Sequence, residues 1–157
     1  MFYAWLHVIA LIVYLGAISG LSFILLPSVA ALETQEAKLR LLTRGLKLYS
    51  PMQVGALGIV LFTGAFQLTE LKALYRDAFV EQIAYTLGIK LVFAFFLIMV
   101  SVYQSLGVGH RFVRRQESGE AASANELAAL IRRLNNSSAV ILVLALITLW
   151  LGLRLRA

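Results

Sequence analysis

Cysteine is absent from this chain, proline occurs twice, and charged side chains make up 14% of the 157 residues. Without cysteine there can be no disulfide, no thiolate metal site, no iron–sulfur cluster and no covalent haem attachment through a Cys-x-x-Cys-His motif. Any redox chemistry therefore needs a non-covalently bound cofactor. Linkers rich in Gly and Ser or in Pro are lacking too. Pro27 and Pro51 both stand at the edges of apolar runs, so residues 1–157 read as a single domain. Acidic residues number 8 against 14 Lys and Arg, a net charge of +6. The basic residues gather at the ends of apolar runs rather than along one polar face, which points to orientation in a membrane and not to nucleic acid.

What is abundant is apolar surface: 61% of the residues are hydrophobic, more than a soluble domain of this size can hide in one core. The surplus must face lipid. From Phe2 to Leu32 no side chain carries a formal charge, which exceeds the roughly 20 residues a helix needs to cross the hydrocarbon. This run reads as a span rather than a cleaved leader, because its positive charges follow it instead of preceding it. A second span is expected at about 48–69, opened by Ser50 as a cap and Pro51 in the first helical turn. A third at about 82–109 contains one charge, Lys90. A fourth, with its membrane part at about 134–153, is announced by Ser123-x-x-Glu126, the pattern of a capping box. The first span occupies about 2–28.

The expected fold is thus an all-α membrane protein, a four-transmembrane-helix antiparallel bundle with a short interfacial helix between spans two and three. That helix is read from Leu71, Leu74, Tyr75, Ala78 and Phe79, with Lys72, Arg76, Asp77 and Glu81 between them. Lys38, Arg40, Arg44 and Lys47 separate spans one and two, and Arg111, Arg114, Arg115, Arg132 and Arg133 separate spans three and four. By the positive-inside rule both groups are cytoplasmic and both termini are outside. The Arg154 and Arg156 tail opposes that bias.

An ionisable group within the hydrocarbon is costly and marks a candidate site. His7 and Lys90 are the two such groups. Both are expected near the outer starts of helices that run the same way, hence in one outer-leaflet layer. His7 shares a stripe with Ala10, Leu11 and Tyr14, and Lys90 one with Ala94, Leu97, Ser101 and Gln104. Tyr14 joins His7 and Lys90 as a candidate cofactor contact. The competing reading makes His7 an interfacial residue among Tyr3 and Trp5 and lets Lys90 snorkel to the headgroups. His110 reads as a solvated boundary residue, and Asn135, Asn136, Ser137 and Ser138 as interhelical hydrogen-bond partners. A buried imidazole suits an axial haem ligand. A desolvated lysine suits an amine ligand, a proton relay or a propionate partner. Copper handling favours repeated Met, Cys or His, which the chain lacks.

Several stretches resemble a known group. Trp5-Leu6-His7-Val8-Ile9-Ala10, Tyr14-Leu15-Gly16 and Leu26-Pro27 resemble the first helix of CopD-type copper-resistance membrane domains and of HemJ-type protoporphyrinogen oxidases. Thr63-Gly64, Gly88-Ile89-Lys90-Leu91 and Arg133-Leu134-Asn135 extend the likeness. The HemJ resemblance implies a haem b-binding membrane oxidoreductase of the bacterial inner membrane, with His7 as ligand, Lys90 as the catalytic partner, and a porphyrin or quinone-like substrate. The CopD resemblance implies copper bound at His7. A non-catalytic assembly subunit is the third reading, and a homo-oligomer fits any of them. The chain differs from the HemJ pattern at Ser28, Gln104 and Asn135-Asn136, where that pattern has Arg, His and Asn-Glu.

Overall fold

The computed structural model describes residues 2–75, 84–120 and 122–154. Helix α1 spans Phe2–Ala30 and α2 spans Gln35–Tyr75. Helix α3 spans Ala84–Glu117 and α4 spans Ala124–Arg154. All four are long and apolar enough to cross a membrane, and no strand occurs among the described residues. The chain is a four-helix membrane-spanning bundle. Their central stretches carry apolar side chains on outer and inner faces alike, as lipid demands: Phe23, Phe62 and Leu146 turn outward while Ile18, Leu134 and Ile141 are fully enclosed.

Helix α1 lies along α2 and α3 along α4, with α2 also packed on the second half of α3. Small residues set the approach. The Leu25 side chain of α1 occupies the space a Cβ on Gly45 of α2 would need, and the Tyr49 ring lies over Gly20, its hydroxyl 2.9 Å from where a Cβ would stand. One apolar cluster joins Leu21, Leu25, Leu42, Leu46, Phe112 and Leu134. Another joins Tyr14, Ile18, Leu57, Leu97 and Ile141.

The start of α2 departs from the sequence expectation. The helix begins at Gln35, after Thr34, whose carbonyl accepts from Lys38 N at 3.1 Å, and it runs unbroken through Pro51. Ser50 is therefore an interior residue and not a cap. Proline removes one intrahelical donor, its own N–H, which would otherwise bond Lys47 O four residues back. At the neighbouring residue the Ser105 hydroxyl of α3 donates to Ser50 O at 3.2 Å and ties the two helices together. Gly109 makes that approach feasible, since a Cβ there would fall 2.9 Å from Ser50 Oγ. The same part of α3, Tyr103–His110, is wound as a π-helix, as is Leu21–Leu25 of α1.

At about 1.5 Å per residue, the 41 residues of α2 extend roughly 60 Å, twice the hydrocarbon thickness. The basic residues expected in a loop stand instead on this helical extension. At the basic end of the bundle, Lys47 pairs with Glu117 at 2.5 Å, and Arg115 pairs with Glu120 at 2.9 Å and Glu126 at 3.2 Å. The capping box forms as expected: Ser123 N donates to Glu126 Oε2 at 2.9 Å and Glu126 N to Ser123 Oγ at 3.3 Å. Leu71–Tyr75 prolong α2 without a break. The rest of the expected interfacial helix, at 76–83, lies outside the described residues.

Candidate functional site

His7 sits in the second turn of α1, half-buried against α2. Its Nδ1 is 2.8 Å from Thr63 Oγ1. The Thr63 hydroxyl donates its single proton to the backbone of its own helix, to Ile59 O at 2.6 Å. With that proton committed, the oxygen accepts from His7, so Nδ1 is the donor in this pair, and in the neutral form of the ring the lone pair falls on Nε2. Gly64 lies beneath the ring, where a Cβ would stand 3.4 Å from His7 Cε1. A histidine held through one nitrogen by a polar neighbour is the arrangement that orients the other toward a metal.

Lys90 lies in the second turn of α3, half-buried. Its Nζ rests over Gly152 of α4, 3.1 Å from the position of an added Cβ. Tyr14, fully buried, bonds Ser101 of α3 through its hydroxyl. Ser101 Oγ donates to Leu97 O at 2.7 Å, so Tyr14 is the donor in that pair. The stripes read from the sequence do face inward: Ala10 and Tyr14 are buried on α1, and Leu97, Ser101 and Gln104 on α3.

Below Tyr14 lies a second polar layer centred on Gln104. Its Nε2 donates to Leu134 O at 3.1 Å and to Ser138 Oγ at 2.5 Å, while its Oε1 accepts from Gln53 Nε2 at 3.2 Å. One amide thus joins α2, α3 and α4 and satisfies itself in doing so. Ser138 is the interhelical partner among the four polar residues named from sequence. Ser137 bonds Leu134 O of its own helix at 3.1 Å. Asn135 and Asn136 point outward, a correction to their expected role that follows from their place on the exposed side of α4. His110 is exposed at the end of the π-helical stretch, as a boundary residue should be.

Gly152 carries no signal of its own in the sequence, and Thr63 enters there only through the Thr63-Gly64 resemblance, with no role attached. A threonine in an apolar helix usually bonds back to its own carbonyls, and only contact with α1 gives this one a second role. Gln53 was hidden for the same reason. Among the described residues no group of three or more His, Cys, Asp or Glu is arranged to hold a metal ion. Comparison with known proteins finds no matching family model, no matching curated protein and no matching solved structure. The class that fold and site define is a multi-span helical membrane protein, with His7 held against Thr63 and Lys90 half-buried over Gly152.

Proposed function

We propose that this protein is a haem b-binding membrane oxidoreductase of the HemJ-like kind, an antiparallel bundle in a bacterial inner membrane with both termini outside. The observation that carries the proposal is the clasp on His7. Thr63 holds Nδ1, and in its neutral form the imidazole would offer Nε2 as the nitrogen to hold a haem iron.

The order of contacts supports opposed neighbouring helices. His7 meets Gly64, Gly20 meets Tyr49 and Leu25 meets Gly45, so the number falls on α2 as it rises on α1. Likewise Gln104 meets Ser138 and Lys90 meets Gly152. In such a bundle α1 and α3 run the same way and the Tyr14–Ser101 bond sets their register. At about 1.5 Å per residue His7 then lies roughly 10 Å and Lys90 roughly 16 Å outward of that bond. The two sit in one half of the bilayer, about one turn apart in depth, rather than level. This offset suits Lys90 to a porphyrin carboxylate or to proton transfer at the rim better than to the iron.

Haem, when bound, supplies one-electron chemistry, and the chain supplies position and protons. His7 would hold the iron, Gly64 leaves the ring room beside it, and Lys90 exchanges a proton or binds a carboxylate of the substrate. A mononuclear metal held by a macrocycle needs few protein donors, which agrees with one imidazole and no cluster among the described residues. The test is metal and pigment analysis of protein purified from haem-replete cells. Iron at one equivalent with a b-type pyridine haemochrome supports the reading. Copper without porphyrin favours the CopD-like alternative, and neither metal leaves an assembly role.

A further inference from the structure

We infer that the cleft between α3 and α4 at their basic ends is a binding site for the headgroup of an anionic phospholipid in the leaflet on that side. The inference rests on the opposed-helix orientation proposed above and goes beyond the cofactor, which belongs to the other half of the bundle.

The cleft encloses about 480 Å³. Its floor is apolar, built from Tyr103 and Phe112 of α3 and Leu130 of α4. Three arginines rim it: Arg111, Arg115 and Arg133. Arg115 is already engaged by Glu120 and Glu126. Arg111 and Arg133 make no ion pair with any described residue. The cleft therefore offers two uncompensated guanidinium groups over an apolar floor, which matches a phosphodiester followed by an acyl chain.

Helix direction brings those two arginines together. Gln104 bonds Leu134 O, so the Cα of Arg133 is level with the middle of the π-helical stretch, while Arg111 lies roughly 7 Å nearer the water. Side chains lean toward the N-terminus of their own helix. On α3 that lean carries Arg111 toward the membrane, and on α4 it carries Arg133 toward the water. The two converge near the depth of a lipid phosphate. At Gly107 the missing side chain lets the Tyr103 ring lie against the helix, 3.3 Å from where a Cβ would be, and keeps the membrane end of the cleft open to an acyl chain. A purely topological role for these charges would need no cleft, and Arg132, which serves topology equally, does not line it.

The experiment is native mass spectrometry of the full chain released from bilayers of equal phosphatidylglycerol and phosphatidylcholine. The wild type should retain phosphatidylglycerol selectively. Arg111→Gln/Arg133→Gln should lower that retention roughly twenty- to thirtyfold, at about fivefold for each charge, whereas Arg132→Gln should stay within about twofold. If the double variant fails to fold, the single variants and Arg111→Lys/Arg133→Lys carry the comparison, the lysine pair keeping most of the selectivity. Equal retention of both lipids, or equal loss in Arg132→Gln, overturns the inference. Displacement of the lipid by inorganic phosphate alone also overturns it, by making free phosphate the ligand. Lipid retention is read whether or not the protein carries haem, so its failure is distinct from failure of the cofactor reading.

Discussion

The Thr63 hydroxyl accepts the Nδ1 proton of His7 at 2.8 Å while giving its own to Ile59 O at 2.6 Å. A residue 56 positions away thereby decides which imidazole nitrogen bears the proton. Thr63→Val keeps the shape and removes the acceptor. It should weaken haem retention about 10- to 100-fold with His7 still in place, measured by haem transfer to a soluble acceptor. Thr63→Ser should hold haem nearly as the wild type does.

Gln104 makes three bonds to two other helices. Gln104→Leu leaves Gln53 Nε2 without that partner inside the bundle and should cost about 1–2 kcal/mol, measured by unfolding in mixed micelles. Because this layer lies below Tyr14, haem content per folded molecule should be unchanged.

Two glycines separate close packing from mere smallness. A Cβ on Gly45 would collide with the Leu25 side chain, whereas around Gly16 nothing lies within 4 Å. Gly45→Ala should destabilise the protein by about 1–3 kcal/mol, and Gly16→Ala should shift stability by less than about 0.5 kcal/mol. Thermal unfolding of the two variants in one detergent checks both.

Much of the fold was legible because lipid imposes a simple rule. Long charge-free runs must be helices that satisfy their own backbone, and Ser123 with Glu126 marked the start of α4. Pro51 was misread since a proline in a first turn and one inside a long helix look alike locally. The difference is the helix upstream, which already runs from Gln35. His7 and Lys90 stood out as ionisable groups in apolar runs. Gln53 and Gly152 did not, and Thr63 was noted only within a resemblance and without a role, because small polar and small apolar residues gain meaning only from the helix they face. Gln104 was noticed as a departure from a family pattern, and its bonds to α2 and α4 show what it does instead.

Orientation is testable through the absence of native cysteine. Phe2→Cys, at the exposed start of α1, should react with a membrane-impermeant thiol reagent in intact cells. Ser118→Cys, in the exposed connection between α3 and α4, should react only after permeabilisation. The reverse pattern would invert the proposed topology.

The central claim is tested most directly by the absorption spectrum of the purified protein, oxidised and reduced, beside that of His7→Ala. The account predicts a Soret band and b-type reduced bands in the wild type, absent from a folded His7→Ala variant. A colourless wild type from haem-replete cells, or a His7→Ala spectrum identical to the wild type, would contradict it.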